Sequence, residues 1–267
     1  MARDLEAERI NLGLWDEMAP VHGRSYDTSA GHHLDPVQVS ELGDLRGKKV
    51  LHLQCHIGTD TLALARLGGD VTGVDFSRES LKVARELANK AGLSVRFIET
   101  PLFDLQGVLT ETFDLVYTSI GVLCWLSDLD LWAGVVTGCL KPGGVFYIME
   151  SHPFLNVFDD EAEGLEIRHP YFTGGRPADW PGNFSDYSDG AYIVKSPSRE
   201  FTWTMGDIHN SLTKAGLRIE FIHEYDFLHW KALPCMEAGE DRFWRLPEPF
   251  NRIPLLFSLK AVKPVEA

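Results

Sequence analysis

Cysteine is scarce in this chain: the 267 residues hold four, Cys55, Cys124, Cys139 and Cys235. No two of them stand at metal-site spacing and they outline no disulfide framework, so no metal centre or stapled secreted scaffold is expected. Basic residues are few as well, 25 Lys and Arg against 39 Asp and Glu, for a net charge of −14. Nucleic acid is therefore not expected as a partner, because phosphate binding needs clustered cations. No apolar run is long enough to cross a bilayer, and Met1 to Glu6 is charged and lacks a signal core. A cytoplasmic protein with no membrane partner is the expectation. Glycine is missing where a pyrophosphate needs it: in Leu53-Gln54-Cys55-His56-Ile57-Gly58 only Gly58 allows close backbone approach, and no Gly-Lys-Ser or Gly-Lys-Thr run follows. A nicotinamide dinucleotide is thereby disfavoured.

What is present is 44% apolar residues, enough for a substantial core, in a chain long enough for one large domain or a domain with an insertion. Lys49 to Leu53 reads as a buried parallel strand. Gly58 follows, and Thr59 or Asp60 can cap the helix Thr61 to Leu67, which Gly68-Gly69 ends. Val71 to Val74 is the second strand, with Asp75 at its carboxyl end. A carboxylate there accepts the hydroxyls of a ribose, and Gly58 and Asp75 should face one crevice beyond the strand ends. The alternation continues with a helix from Ser77 to Ala91, strands Val95 to Ile98 and Phe113 to Ser119, a helix from about Asp128 to Leu140, and a strand Val145 to Glu150. Such repeated units imply a parallel sheet with right-handed crossovers. At the front, Leu5 to Trp15 reads as a helix and Ala19 to Pro36 as a loop or short helix near the cofactor mouth. His152 to Glu200 is irregular and rich in aromatics, and is read as a substrate-side insertion. A helix Met205 to Ala215 and strands Arg218 to Phe227 and Ile253 to Val262 close the chain.

These motifs resemble those of class I S-adenosylmethionine (SAM)-dependent methyltransferases, in particular a bacterial small-molecule branch. In that branch the first strand and loop read Leu-His-Leu-Gln-Cys-His, as at 51–56, where most of the family has Asp-Leu-Gly-Cys-Gly. The likeness continues through Val71 to Ser77, Phe113 to Ser119, Gly121 to Leu126, Leu140 to Gly144 and the tail Leu255 to Ala261. It implies a Rossmann-like seven-stranded, mostly parallel sheet with an antiparallel last strand, helices on both faces and an aromatic-rich insertion after the fifth strand. One methyltransferase domain spans 1–267, divided into a lid (1–40), a SAM-binding core (41–150), the insertion (151–202) and a final helix and strand pair (203–267). The expected function is SAM-dependent methyl transfer to an O, N or C nucleophile of a small, apolar or aromatic molecule, by a monomer or homodimer. A non-methylating reaction on the same cofactor, such as a cyclisation, and a non-catalytic SAM-binding regulator are the alternatives.

The implied cofactor residues are Tyr26, Gln54, Cys55, His56, Gly58, Asp60, Asp75, Phe76, Leu102, Phe103, Ser119 and Ile120. The acidic residue that often holds the adenine amine is absent, with Pro101 near its place, so backbone near Leu102 and Phe103, or Asp104, is expected there. Methyl transfer needs chiefly an in-line geometry, and a base only where the nucleophile begins protonated. His152 is the first choice, because histidine titrates near neutrality and follows the fifth strand by two residues; the plainer alternative is a loop histidine bonded to backbone. Glu150 can orient it or bind substrate. His22, with Tyr26, can close over the cofactor or contact substrate. Trp125, Tyr171 and Trp203 are the expected substrate contacts, with Trp203 standing where the branch has a histidine.

Overall fold

The computed structural model describes residues 2–25 and 32–265. A long helix comes first, α1 (Leu5–Ser25), then α2 (Pro36–Leu42). The alternating part follows as β1 (Lys49–Leu53), α3 (Thr59–Arg66), β2 (Asp70–Asp75), α4 (Arg78–Ala91), β3 (Arg96–Glu99), α5 (Leu105–Val108), β4 (Phe113–Thr118), α6 (Leu129–Cys139) and β5 (Leu140–Ser151). The helix ends obey side-chain chemistry. Ser77 caps α4 by accepting from Ser80 N, Gly92 closes it in the left-handed conformation, and Asp128 caps α6 by accepting from the amides of Asp130 and Leu131.

The main sheet has seven strands in the order β10-β13-β5-β4-β1-β2-β3, where β10 is Arg218–Tyr225 and β13 is Leu256–Val262. β1 runs parallel to β2 and to β4, whereas β13 lies antiparallel between β5 and β10. The expected architecture is thus present, with β10 rather than the last strand at the edge. The strand order reverses between β1 and β4, and the crevice for a ligand opens there, beyond their carboxyl ends. One face of the sheet packs on α6 and α7 (Met205–Lys214) around Trp132, Phe146 and Phe257. The other packs on α2, α3 and the chain around 227–246, with Tyr117 and Tyr147 stacked 6.0 Å apart. That last segment carries a small hairpin, β11 (Glu237–Ala238) and β12 (Trp244–Arg245).

Two expectations need correction. Helix α1 continues ten residues past Trp15 and contains Pro20, so His22 sits on a helix and not on a loop. Proline inside a helix removes one hydrogen bond; the helix persists because Ala19, Val21 and His22 are buried and α1 packs along α4. Gly23 permits that approach, since a Cβ there would stand 2.8 Å from Val83 Cγ1. The insertion is also more ordered than its composition suggests. β6 (Pro177–Trp180) pairs with β9 (Ser198–Phe201), and β7 (Phe184–Ser185) pairs with β8 (Ile193–Val194). Strands of two to four residues are too short to leave an alternating pattern in the sequence.

Candidate functional site

The turn after β1 keeps a glycine-type backbone with side chains attached. Gln54 (φ 52°), His56 (φ 48°) and Gly58 (φ 77°) are all left-handed. For the two non-glycine residues this costs about 1–2 kcal/mol each, so their side chains repay it through contacts. Gln54 Nε2 donates to Val122 O at 3.1 Å, joining the turn after β1 to the turn after β4 across the point where strand order reverses. Its Oε1 is buried with no partner among the described residues. Cys55 is packed beneath the turn; burial, together with the charge of Asp75, raises its thiol well above the ordinary range, so it is no nucleophile. Gly58 stands at the N-terminus of α3 against Ala84 and Phe97.

Asp75 ends β2 in a buried position, with Oδ2 accepting from His56 N (2.8 Å) and Oδ1 from Ser77 N (2.9 Å). Burial lifts its pKa to about 6. A carboxylate offers about four acceptor sites, so both oxygens keep capacity for a further donor. Phe76 beside it is half-buried. Leu102 is buried in the core, and Phe103 lies under the Arg3 guanidinium, 5.7 Å from ring centroid to cation. Asp104 is held by Arg3 as well, so it is engaged in an ion pair. Ser119 Oγ lies 3.3 Å from His52 Nε2, and Ile120 packs on the α2 side of the sheet. Asp60, in the first turn of α3, is engaged on both oxygens: Oδ2 accepts from Tyr117 OH (2.8 Å) and Oδ1 meets His32 Nε2 (2.6 Å). Tyr26 lies outside the described residues.

His22 reaches the same corner from α1. Its Nδ1 is 2.7 Å from His56 Nε2, and its Nε2 is 2.8 Å from Asp186 Oδ2 in the insertion. His56 Nδ1 in turn meets Ser80 Oγ at 2.9 Å. Burial, then the neighbouring His22, depresses the His56 pKa to about 3, so that ring is neutral. Burial opposes the charge on Asp186, yet hydrogen bonds from Ser188 and His22 outweigh it and hold the carboxyl below its usual range. Trp15 packs edge-on against His56 (4.7 Å) and Trp125 (5.3 Å), closing the apolar side of the cluster.

The β4–β5 edge is organised differently. Glu150 Oε1 accepts from Gly121 N (2.5 Å) and Ser151 N (2.7 Å), and Oε2 from Val122 N (2.7 Å) and Leu123 N (3.3 Å). It fastens the turn after β4 and does not orient His152. His152 Nδ1 accepts from Phe154 N (3.1 Å), which puts the ring proton on Nε2, 3.0 Å from Glu224 Oε1 but off the line of a good hydrogen bond. In that tautomer the ring has no free lone pair, so His152 is a cap of the 153–157 turn rather than a base. Trp203 is buried and donates from Nε1 to Leu126 O (3.0 Å); Tyr171 OH accepts from Met205 N (3.2 Å). These two brace α7 and the 123–126 turn, whereas Trp125 remains half-buried beside Trp15. Glu200, on β9 against the 123–125 turn, binds Ser198 Oγ with Oε1 (2.9 Å) while Oε2 has no partner among the described residues. Burial raises its pKa.

Asp186, Ser80, Trp15 and Glu200 are the residues that sequence reading misses. Asp186 has a local signal, since Ser188 and Asp189 amides fold back on Oδ1 in an Asx-type turn. Nothing local links it to His22, 164 residues away.

Residues 51–148 match the family model described as methyltransferase domain. A ubiquinone biosynthesis O-methyltransferase of Methylocella silvestris is 30% identical over 199 residues, covering 65% of this chain and 72% of that protein. The chain belongs to the class I SAM-dependent methyltransferases. The same-named protein of Bordetella avium is 32% identical over 121 residues, 43% of this chain and 50% of that one, so the chain spans about half the length of that relative. Among solved structures, a putative S-adenosylmethionine-dependent methyltransferase from Listeria monocytogenes superposes with a TM-score of 0.60 at 18% identity, covering 85% of this chain and 96% of that one, which shows a shared fold. SAM is the cofactor of this methyltransferase family, and the corner fits it. Gln54 Oε1 is a buried acceptor in need of a donor such as the methionyl ammonium, and Asp75 has acceptor capacity for ribose hydroxyls.

Proposed function

We propose that this protein transfers the methyl group of SAM to an oxygen of a small, largely apolar ring compound. The observation that carries the reading is the buried Gln54 Oε1 at the strand-order reversal, which has no partner among the described residues, beside an Asp75 carboxylate with spare acceptor sites. Asp75 holds the ribose and Gln54 the ammonium, and the bound cofactor supplies a sulfonium methyl open to displacement. The relatives named as O-methyltransferases favour oxygen over nitrogen or carbon. The apolar side chains around the edge, Trp15, Trp125 and Phe154, favour a ring over a charged chain.

Positioning can lower the barrier by about 7–11 kcal/mol. Where the acceptor hydroxyl begins protonated, the proton goes to Glu200, whose Oε2 has no partner among the described residues and whose affinity for a proton is raised by burial. His22 and His152 are unsuited to this, since each ring nitrogen has a neighbour in the structure.

The test is incubation with methyl-labelled SAM and a panel of phenols, catechols and aliphatic amines. Label recovered in a phenolic oxygen supports the reading. Label retained on the cofactor while an acceptor is still transformed replaces it with non-methylating chemistry, and label on amines alone changes the acceptor class.

A further inference from the structure

Helix α1 holds the insertion along its length. Asn11 accepts from Arg199 N and donates to Arg199 O. Glu17 accepts from the amides of Lys195 and Ser196 and from Tyr192 OH. His22 holds Asp186. These anchors at 11, 17 and 22 span three turns, so β7, β8 and β9 are tied to one rigid rod. The rod meets the cofactor turn through His22 and Trp15, both of which contact His56.

We infer that α1 and the insertion segment 183–201 form a single lid, and that His56, standing where a glycine-type backbone is required, is the catch that holds this lid on the cofactor turn. Asp186, His22 and His56 are on this view positioning residues that set how long an adenosyl ligand stays bound. The inference rests on the SAM-binding reading above.

Three features support it. First, a side chain at φ 48° is costly, and His56 retains one whose ring nitrogens both face partners, Ser80 on the core and His22 on the lid. Second, His56 is bifunctional: its backbone N–H donates to Asp75 Oδ2 while its ring meets the lid, so one residue touches the ribose carboxylate and the cover over it. Third, the side chains of His22 and Asp186 are 4% and 0% exposed. On this reading a ligand held at Asp75 and Gln54 leaves after this buried pair parts from His56. Ser80 ends the chain with a hydroxyl that donates or accepts, so it completes the network on the core side.

The test uses the full chain with S-adenosylhomocysteine, the demethylated cofactor, as probe. Its dissociation rate is followed by displacement and tryptophan fluorescence in wild type, His56→Gly, Asp186→Asn and Asp186→Ala. Amide hydrogen exchange over 17–25 and 183–196 is read with and without the probe. His56→Gly relieves the backbone and keeps the amide to Asp75, but removes the catch. Dissociation should accelerate about ten- to hundred-fold, the size expected for a buried, charge-linked hydrogen-bond chain, and probe-induced protection of 183–196 should vanish. Asp186→Ala should match it. Asp186→Asn should retain most of the residence time, because its carboxamide oxygen still accepts from His22 Nε2–H, an intermediate result that simple loss of packing would not give. Wild type that holds the probe while all three variants release it within twofold of the wild-type rate, with protection intact, overturns the catch alone. Wild type that fails to bind the probe overturns the SAM reading and the catch with it.

Discussion

Asp75 and Glu150 invite comparison, since both are buried carboxylates at the carboxyl end of a parallel strand and both accept backbone amides. Asp75 accepts two and keeps room for more; Glu150 accepts four and is filled. The same functional group at the ends of two parallel strands is therefore left with open acceptor sites at β2 and saturated by the fold at β5. The difference arises from the turn each one faces. The turn at 54–58 curls through alternate left-handed residues and presents one amide, that of His56, to Asp75. The turn at 121–123 directs three successive amides at Glu150.

The sharpest way to break this contrast is Asp75→Ala. Each lost ribose bond to a carboxylate is worth about 1.5–3 kcal/mol, so S-adenosylhomocysteine affinity should fall at least 100-fold by calorimetry. Unchanged affinity would move the ribose elsewhere. Glu200→Gln comes next: kcat with a phenolic acceptor should drop about 100-fold or more with cofactor affinity unaltered, and an unchanged kcat would assign the proton to solvent.

Acidity probes the contrast directly. Burial lifts the Asp75 pKa to about 6, so on the proposed reading the ribose hydroxyls lose their ionised acceptor below that value. Cofactor affinity should accordingly weaken about tenfold per pH unit below 6 and level off above 7. The sign for the free protein is opposite. The folded state binds this proton more tightly than the unfolded chain, whose value is 3.8, so the stability it contributes is present at low pH and lost as pH rises through about 6. That loss is about 3 kcal/mol for this group, and Asp75→Asn should remove it from the pH profile of chemical denaturation.

Glu150→Gln should leave cofactor affinity within about threefold but destabilise the protein by about 2–3 kcal/mol, because the new amide nitrogen opposes backbone N–H donors. A cofactor defect as large as that of Asp75→Ala would abolish the distinction between the two sites. The smallest effect is expected of His152→Gln: a loss of about 1 kcal/mol in stability from the weakened cap and a kcat within about threefold of wild type. A hundredfold fall in kcat would restore His152 as a base.

How much of this was legible in the sequence divides along the same line. The apolar run at 50–53, the glycine at 58 and the acid at 75 state their roles locally, because strand burial, helix capping and strand-end position each act over a few residues. The doubly wound sheet follows from their repetition. Glu150 was visible as a strand-end acid, but its purpose depends on amides 27–29 residues away. For His152 the sequence left a base and a backbone-bonded loop histidine open, and the bond from Phe154 N, which residue type does not announce, favours the second. Helix α1 was read only as far as Trp15; its continuation to Ser25 through Pro20 is held by packing against α4. Trp203 was visible as an aromatic beside the insertion, but its bond to Leu126 O, 77 residues away, was not.

Composition, periodicity and turn chemistry thus determined the layer architecture, the crevice at the β1–β4 reversal and the carboxylate beside it, because those depend on interactions between near neighbours in the chain. Tertiary structure alone decided which buried acid remains open and which is saturated, and it alone brought Asp186 to His22 and His22 to His56. Hydrogen-bond partners separated by 164 and 34 residues leave no trace in local pattern, since their meeting depends on how α1 and the insertion pack over the finished sheet.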